Sequence, residues 1–113
     1  MTAPLIKQDE PLYVLLREGE IEQFNQRKAA GEGCDLVDCD LRGLDLRGLD
    51  TVGLDLRGCY FRQADLRGVD FSACNLEGAS VHGAKISGAY FPAPLSADEI
   101  NLSFEHGTRM RYT

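Results

Sequence analysis

Few residues of the types that most often carry chemistry occur in this chain, which has four cysteines and two histidines. A closed zinc site needs four convergent ligands, and a catalytic site needs an acid, a base or a nucleophile positioned in a cleft. His82 and His106 lie outside the position that the cysteines share, so these residue types do not converge on one site. We therefore expect no metal, no cofactor and no enzymatic activity.

The cysteines share a position because residues 34–93 repeat every five residues. Written in fives, the stretch gives twelve units without insertion or deletion, and the middle residue is large and apolar in all but one, where it is Thr51. The residue two before the middle one is also apolar, and in four units it is a cysteine: Cys34, Cys39, Cys59 and Cys74. This spacing fits neither a helix nor a long strand, so it predicts short extended pieces joined by glycine-rich turns. We expect Thr51 either to loosen the core or to leave a hydroxyl that needs a backbone acceptor.

Units such as ADLRG at 64–68 and CNLEG at 74–78 resemble the A(D/N)LXX signature of the pentapeptide-repeat proteins, and the resemblance covers all twelve units. It implies an all-β solenoid, a right-handed quadrilateral β-helix in which four units form one coil of twenty residues. The three coils would then be 34–53, 54–73 and 74–93. At a spacing of about 4.8 Å between neighbouring strands, this stack is only roughly 15 Å long.

The repeat also bears on the cysteines, which could pack as small apolar side chains or form a disulfide. Cys39 and Cys59 are one coil apart, so a β-helix of this kind would stack them at a distance of about 4.8 Å, within the Cα range of a disulfide. No export signal accompanies them, which favours free thiols packed in the core. Both alternatives remain open at this point.

Residues 1–33 form an N-terminal tail and helical cap in this interpretation. We expect a loose tail over residues 1–8, then a helix with Asp9 as N-cap that ends at Gly19, and a second helix from about Glu20. A coil with an open end exposes unpaired backbone groups and bare core. The helical hairpin is therefore expected to cover the first coil, as terminal segments of repeat proteins commonly do.

Residues 94–113 form a C-terminal helical cap and tail. Ser96 followed three residues later by Glu99 is a capping box, which predicts a helix over 97–106 that Gly107 stops. This helix should close the second open end or reach back over the stack. The last residues, TRMRY, could be a short extended piece or a free tail that binds a partner.

Folding the repeats by twenty assigns each unit to a face: 34–38 starts the first face, 39–43 the second, 44–48 the third and 49–53 the fourth. Arginine collects on the second and third faces in a basic stripe of Arg42, Arg47, Arg62 and Arg67. Aspartate usually lies two residues before arginine, which favours a solvated, mutually compensated surface. Tyr60 and Gln63 break the aspartate and glycine columns. The fourth face is poor in charge and is the expected interaction surface, formed by Val52, Ser72, Tyr90 and Pro92.

The net charge is -6, so the chain lacks the basic surplus of proteins that bind nucleic acid through phosphate neutralisation. No apolar run approaches 18 residues, and the N-terminus lacks the charged start and apolar stretch of a signal peptide. We expect a soluble, cytoplasmic protein with no membrane or direct nucleic-acid contact. The flanking helices resemble a compact bacterial variety of the family.

These observations favour a non-catalytic protein-interaction or scaffold module, acting as a monomer or homodimer on a protein partner. The resemblance implies an alternative, because some family members mimic a DNA duplex and modulate DNA gyrase or topoisomerase IV. A stack of roughly 15 Å is short for that role. Arginines also interrupt the acidic surface, which makes the interaction module the preferred hypothesis.

Overall fold

A computed structural model describes residues 3–113. Two short helices, α1 (Pro11–Arg17) and α2 (Ile21–Ala29), precede the repeats, and α3 (Ala97–His106) follows them. Between α2 and α3 the chain turns every five residues. The molecule measures 36 × 27 × 22 Å along its principal axes.

Parallel bridges join residues that are twenty apart in the sequence, which is the spacing that the resemblance implies for one coil. These bridges are Asp40 with Tyr60, Asp45 with Asp65, Asp55 with Asn75, Tyr60 with Ser80, Asp65 with Lys85 and Asp70 with Tyr90. Each bridge is isolated because a unit of five residues includes a turn, which leaves too few extended residues for a continuous strand. The class is thus not simply all-β: the described residues combine helices with short β bridges.

The middle residues of the units form the core, as the sequence pattern predicts. From the first coil to the start of the third they are at most 3% exposed, and the last two units, with Ile86 and Phe91, are partly buried. The ring of Phe71 stacks on Phe91 one coil later, with centroids 6.1 Å apart. Thr51 is buried among them, and its hydroxyl donates to the backbone carbonyl of Asp70, which confirms the expected backbone acceptor.

The helical hairpin packs against the first coil. Leu12, Tyr13, Leu15 and Leu16 of α1 and Phe24 of α2 are buried. The Tyr13 hydroxyl donates to the Asp40 carbonyl at 2.6 Å, and Asn25 bonds the carbonyl of Gly48 and the N–H of Asp50, each at 2.9 Å. The N-cap of α1 is Glu10 and not Asp9, and its side chain caps nothing. Pro11, which needs no N–H acceptor, starts the helix instead.

The expectation of a loose N-terminal tail is wrong for residues 3–8; residues 1 and 2 lie outside the described residues. Leu5 forms a parallel bridge with Cys39, donating to the Asp38 carbonyl at 2.8 Å and accepting from the Asp40 N–H at 2.7 Å. Lys7 forms a 3.1 Å ion pair with Asp35. The segment is ordered because the first coil offers it backbone groups that no earlier coil satisfies.

Helix α3 begins and ends as its sequence predicts. The Ser96 side chain accepts a hydrogen bond from the Glu99 N–H, and Gly107 ends the helix in the left-handed region at φ 74°. The Glu99 carboxylate is directed elsewhere, to Arg111, at 3.0 Å. This ion pair ties the helix to the residues after it.

The C-terminal residues are not a free tail, contrary to one of the two expectations. The Met110 carbonyl accepts from the Gly78 N–H at 2.7 Å, and its own N–H donates to Ala79. Met110 is fully buried, and the Tyr112 hydroxyl accepts from the Leu76 N–H at 2.8 Å. The tail is an extended piece that takes the place of a further coil on the first face.

Helix α3 takes the place of a further coil on the second face. There the Val81 N–H donates to the Ser103 hydroxyl, and the Gly83 N–H donates to the Phe104 carbonyl. The third and fourth faces of the last coil are different. The N–H groups of Ile86, Gly88 and Phe91 have no hydrogen-bond acceptor within residues 3–113. The C-terminal cap therefore closes half of the open end.

Candidate functional site

The outward surface of the repeats is organised by pairs of aspartate and arginine two residues apart. In Asp45 and Arg47, one carboxylate oxygen accepts from the arginine backbone N–H and from Nε, and the other lies 2.7 Å from Nη2. The backbone bond forms the corner turn, which is the usual local role of aspartate in turns. The same arrangement recurs in Asp55–Arg57 and Asp65–Arg67. In Asp40–Arg42 the distance from Nη2 to the carboxylate is longer, at 3.0 Å.

This pairing explains how aspartates can stack one coil apart. Asp45 lies directly before Asp65 in the stack, and Arg47 contacts both, with Nε 3.4 Å from the Asp65 carboxylate. Hydrogen bonds from Arg67 lower the pKa of Asp65 to about 2. Those from Arg47 likewise lower the pKa of Asp45. The surface is compensated locally, so acidic residues do not add up to a continuous negative face.

The four arginines of the predicted basic stripe lie on two adjacent faces, but they are not equivalent. Arg42, Arg47 and Arg67 each pair with an aspartate of their own unit. Arg62 follows Tyr60 in place of an aspartate, and it forms no ion pair with any residue from 3 to 113. As a binding surface the stripe stays a prediction.

The contacts of Tyr60 with arginine were not predicted from the sequence. The sequence does show that Tyr60 stands where most units have aspartate. The guanidinium of Arg62 lies 5.0 Å from its ring centroid, and that of Arg42, one coil earlier, lies 5.6 Å away. We call these three residues the Tyr60 patch. Cation–π contacts of this kind hold both guanidiniums against the ring.

Three of the four residues predicted to form an interaction surface on the fourth face are exposed, and one is buried; binding at this face stays a prediction. Val52 and Tyr90 are each 66% exposed, and Ser72 is exposed between them. Pro92 is buried, because the chain turns there toward α3 and the Leu95 N–H donates to its carbonyl. It lines the wall of a cavity of about 640 Å³ together with Ser72 and Tyr112. We call Val52, Ser72 and Tyr90 the fourth-face surface.

The cysteines are free thiols in the structure, so the disulfide between Cys39 and Cys59 is not formed. Cys39, Cys59 and Cys74 are buried, and the thiol of Cys59 donates to the Leu36 carbonyl at 2.8 Å. Burial raises the pKa of Cys39 to about 11 and that of Cys74 to about 12. These thiols pack as small apolar side chains and are poor nucleophiles at neutral pH.

The two histidines have different surroundings. His82 is half-buried, and its Nδ1 lies 3.0 Å from the Phe104 carbonyl at the junction of α3 with the second face. His106 is exposed near the end of α3, 3.9 Å from Glu105. His82 therefore helps to attach the cap.

A stack of five-residue units with an apolar core and locally paired surface charges defines a repeat protein. Residues 32–63 and 55–91 match the family model for pentapeptide repeats, with eight copies, and the match covers more than half of the chain. The chain belongs to the pentapeptide-repeat family, whose repeats form β-helices. No curated protein and no solved structure matches it. Among the described residues, no helix has both the length and the apolarity needed to cross a membrane.

Proposed function

We propose that the chain is a right-handed, four-sided β-helix that acts as a non-catalytic protein-interaction module. Its contact site for a protein partner is the fourth-face surface. The observation that carries the proposal is that Val52 and Tyr90, two large apolar side chains, are each 66% exposed on one face. Exposed aromatic residues in apolar surroundings are enriched among the residues that dominate binding energy.

The charge distribution supports this choice of face. On the second and third faces, side chains at the corners are mostly engaged in Asp–Arg pairs. On the fourth face, Asp50 is held by Lys28 of α2 at 3.2 Å, and Asp70 accepts from the Ser72 hydroxyl at 2.6 Å. A partner can therefore cover Val52 and Tyr90 without breaking an Asp–Arg pair. Desolvating such pairs would oppose binding.

The neighbouring cavity of about 640 Å³ extends the fourth-face surface around the corner to the first face. Its walls include Pro92, Pro94 and the ring of Tyr112. Proline and tyrosine present rigid surface that loses little conformational entropy on binding. A side chain of the partner could enter the cavity while its backbone crosses Ser72.

The alternative, mimicry of DNA toward gyrase or topoisomerase IV, has less support. A duplex as long as the 36 Å dimension of this molecule carries about twenty phosphate charges. The chain has a net charge of -6, and of the eight aspartates in the repeats four pair with arginine and two more with lysine. Unchanged supercoiling activity of both enzymes with excess purified protein would dismiss this alternative.

Affinity capture from the native lysate tests the proposed face. The variant Val52→Ser with Tyr90→Ser removes both exposed apolar side chains and leaves the core intact. A matched control is Leu102→Ser, which removes an exposed apolar side chain of α3 that is 41% accessible. We expect the fourth-face variant to lose the captured protein and the control to retain it. Equal capture by both variants would refute this assignment of the face.

A further inference from the structure

The repeats contain five arginines, and one of them lacks the counterion that its neighbours have. Arg42, Arg47, Arg57 and Arg67 each follow an aspartate by two residues and pair with it. At Arg62 the aspartate position holds Tyr60, so this guanidinium stacks on a ring and meets no carboxylate among the described residues. Its Nε is buried and has no hydrogen-bond acceptor there. Arg62 is partly exposed, so an acceptor from outside can reach the terminal nitrogens of its guanidinium but not the buried Nε.

The C-terminal end of α3 partly compensates the positive charge of Arg62. A Cβ built on Gly107, the C-cap of α3, would be 2.4 Å from Nη2 of Arg62, so the two are in close contact. A helix C-terminus carries about half a negative charge, which favours a nearby cation. That is less than a carboxylate provides, and the Arg62 guanidinium donates no hydrogen bond to any residue from 3 to 113.

Arg42 gives the Tyr60 patch a second cation from the preceding coil. Its guanidinium binds Asp40, which is 4% exposed, and lies over the Tyr60 ring. With one buried carboxylate and two guanidiniums on a single ring, the Tyr60 patch has a net positive charge. On a chain with a net charge of -6, an anionic ligand is repelled from most of the surface and attracted here.

An apolar wall stands beside the Tyr60 patch. A cavity of about 560 Å³ is lined by Ala3, Pro4 and Ile6 of the N-terminal segment, by Asp40, Arg42 and Tyr60 of the second face, and by Arg109. Arg62 does not line this cavity and borders it through the Tyr60 ring. The bridge from Leu5 to Cys39 holds this wall in place. Ile6 is 57% exposed, so its side chain is available for contact.

We propose that the Tyr60 patch and this cavity bind an extended acidic peptide segment of a partner protein. A carboxylate of the peptide bonds the guanidinium of Arg62 or Arg42, replacing the aspartate that the repeat lacks, and an adjacent apolar side chain packs against Pro4 and Ile6. Nucleic acid fits less well, because the positive area is confined to a single ring and the rest of the molecule is acidic. The site lies on the second face and is independent of the fourth-face surface.

A fluorescein-labelled peptide, Gly-Ser-Glu-Glu-Leu-Glu-Ser-Gly, tests the proposal by fluorescence anisotropy. Its counterpart with glutamine for each glutamate is the control peptide. We expect the acidic peptide to bind, more weakly as salt rises, and the glutamine peptide to bind at least about tenfold more weakly. Equal binding of the two peptides, or no binding of the acidic one by the full chain, would overturn the proposal.

Matched variants locate the site. Arg62→Gln should weaken binding of the acidic peptide about tenfold. Arg57→Gln removes an arginine of the first face and should leave binding unchanged. Circular dichroism melting separates a structural role: a lower Tm with unchanged affinity in Arg62→Gln would contradict the proposal. So would tighter binding of a labelled DNA duplex than of the acidic peptide. Val52→Ser with Tyr90→Ser should bind the peptide normally, so this test and that of the proposed function can fail separately.

Discussion

The carboxylate of Asp38 lies over Gly58, one coil later, so closely that a Cβ on Gly58 would be 1.9 Å from Asp38 Oδ1. Both residues occupy the corner position of the first face, and both have positive φ, 61° and 70°. The contact makes Gly58 different from other corner glycines of similar backbone conformation. It provides a direct test of the stacking geometry.

Gly58→Ala should destabilise the protein more than Gly68→Ala, measured by urea denaturation. Gly68 has φ 73°, and no atom lies within 4 Å of a Cβ built there. Gly68→Ala should therefore destabilise the fold only through the left-handed backbone conformation, by about 1–2 kcal/mol. At Gly58 the clash with Asp38 adds to it. In an Asp38→Gly background the two alanine variants should cost the same, and a persisting difference would contradict this contact.

Gln63→Gly should stabilise the protein by about 0.5–1 kcal/mol. Gln63 has φ 59° at a corner where most units have glycine, and its side chain is exposed. Gln63→Ala keeps the unfavourable backbone and should bring no gain. The melting temperatures of the two variants show whether glycine relieves backbone strain at this corner. A gain with alanine as large as with glycine would count against strain.

Tyr112→Phe should lower the free energy of unfolding by about 1 kcal/mol, because it leaves the N–H of Leu76 without the hydroxyl that accepts from it at 2.8 Å. Tyr90→Phe is the matched control, since the Tyr90 side chain is 66% exposed and its hydroxyl can be replaced by water. Chemical denaturation measures both. If the two variants behaved alike, the tail would not act as a cap.

Stability should fall as the pH drops from about 4 toward 2. Arg67 lowers the pKa of Asp65 to about 2, below the value of an unfolded aspartate, so the stabilisation is fully present above the unfolded pKa and disappears as the folded pKa is reached. An NMR titration of the Asp65 carboxyl should show its pKa rising in Arg67→Gln. An unchanged titration would mean that Arg67 does not cause the shift.

Cys39, Cys59 and Cys74 should resist alkylation by iodoacetamide in the native protein at neutral pH. Their burial excludes the reagent and raises the pKa of each thiol. After unfolding without reductant, mass spectrometry should find all four cysteines of the chain alkylated. Two unmodified cysteines in the unfolded protein would reveal a disulfide.

Features that depend on neighbouring residues were predictable from the sequence. Ser96 and Glu99 predict the start of α3, and Gly107 predicts its end. Asp9 shows the limit of such signals, since Glu10 is the N-cap and contributes no side-chain bond. Pro92 shows another, because its place in the repeat predicts an outward side chain, whereas the turn toward α3 buries it.

The sequence by itself determined the period of five, the apolar columns that form the core, and the aspartate–arginine spacing that compensates the surface. These are properties of residues at most a few positions apart, which the chain must satisfy in any coil. The tertiary structure decided how the ends of the stack are satisfied, with Leu5 beside Cys39 and Met110 beside Gly78 and Ala79. It also placed Arg42, from the preceding coil, on the tyrosine ring that the neighbouring Arg62 contacts. Such contacts join segments distant in sequence and arise from backbone groups and charges that local pairing leaves unsatisfied, so no local pattern encodes them.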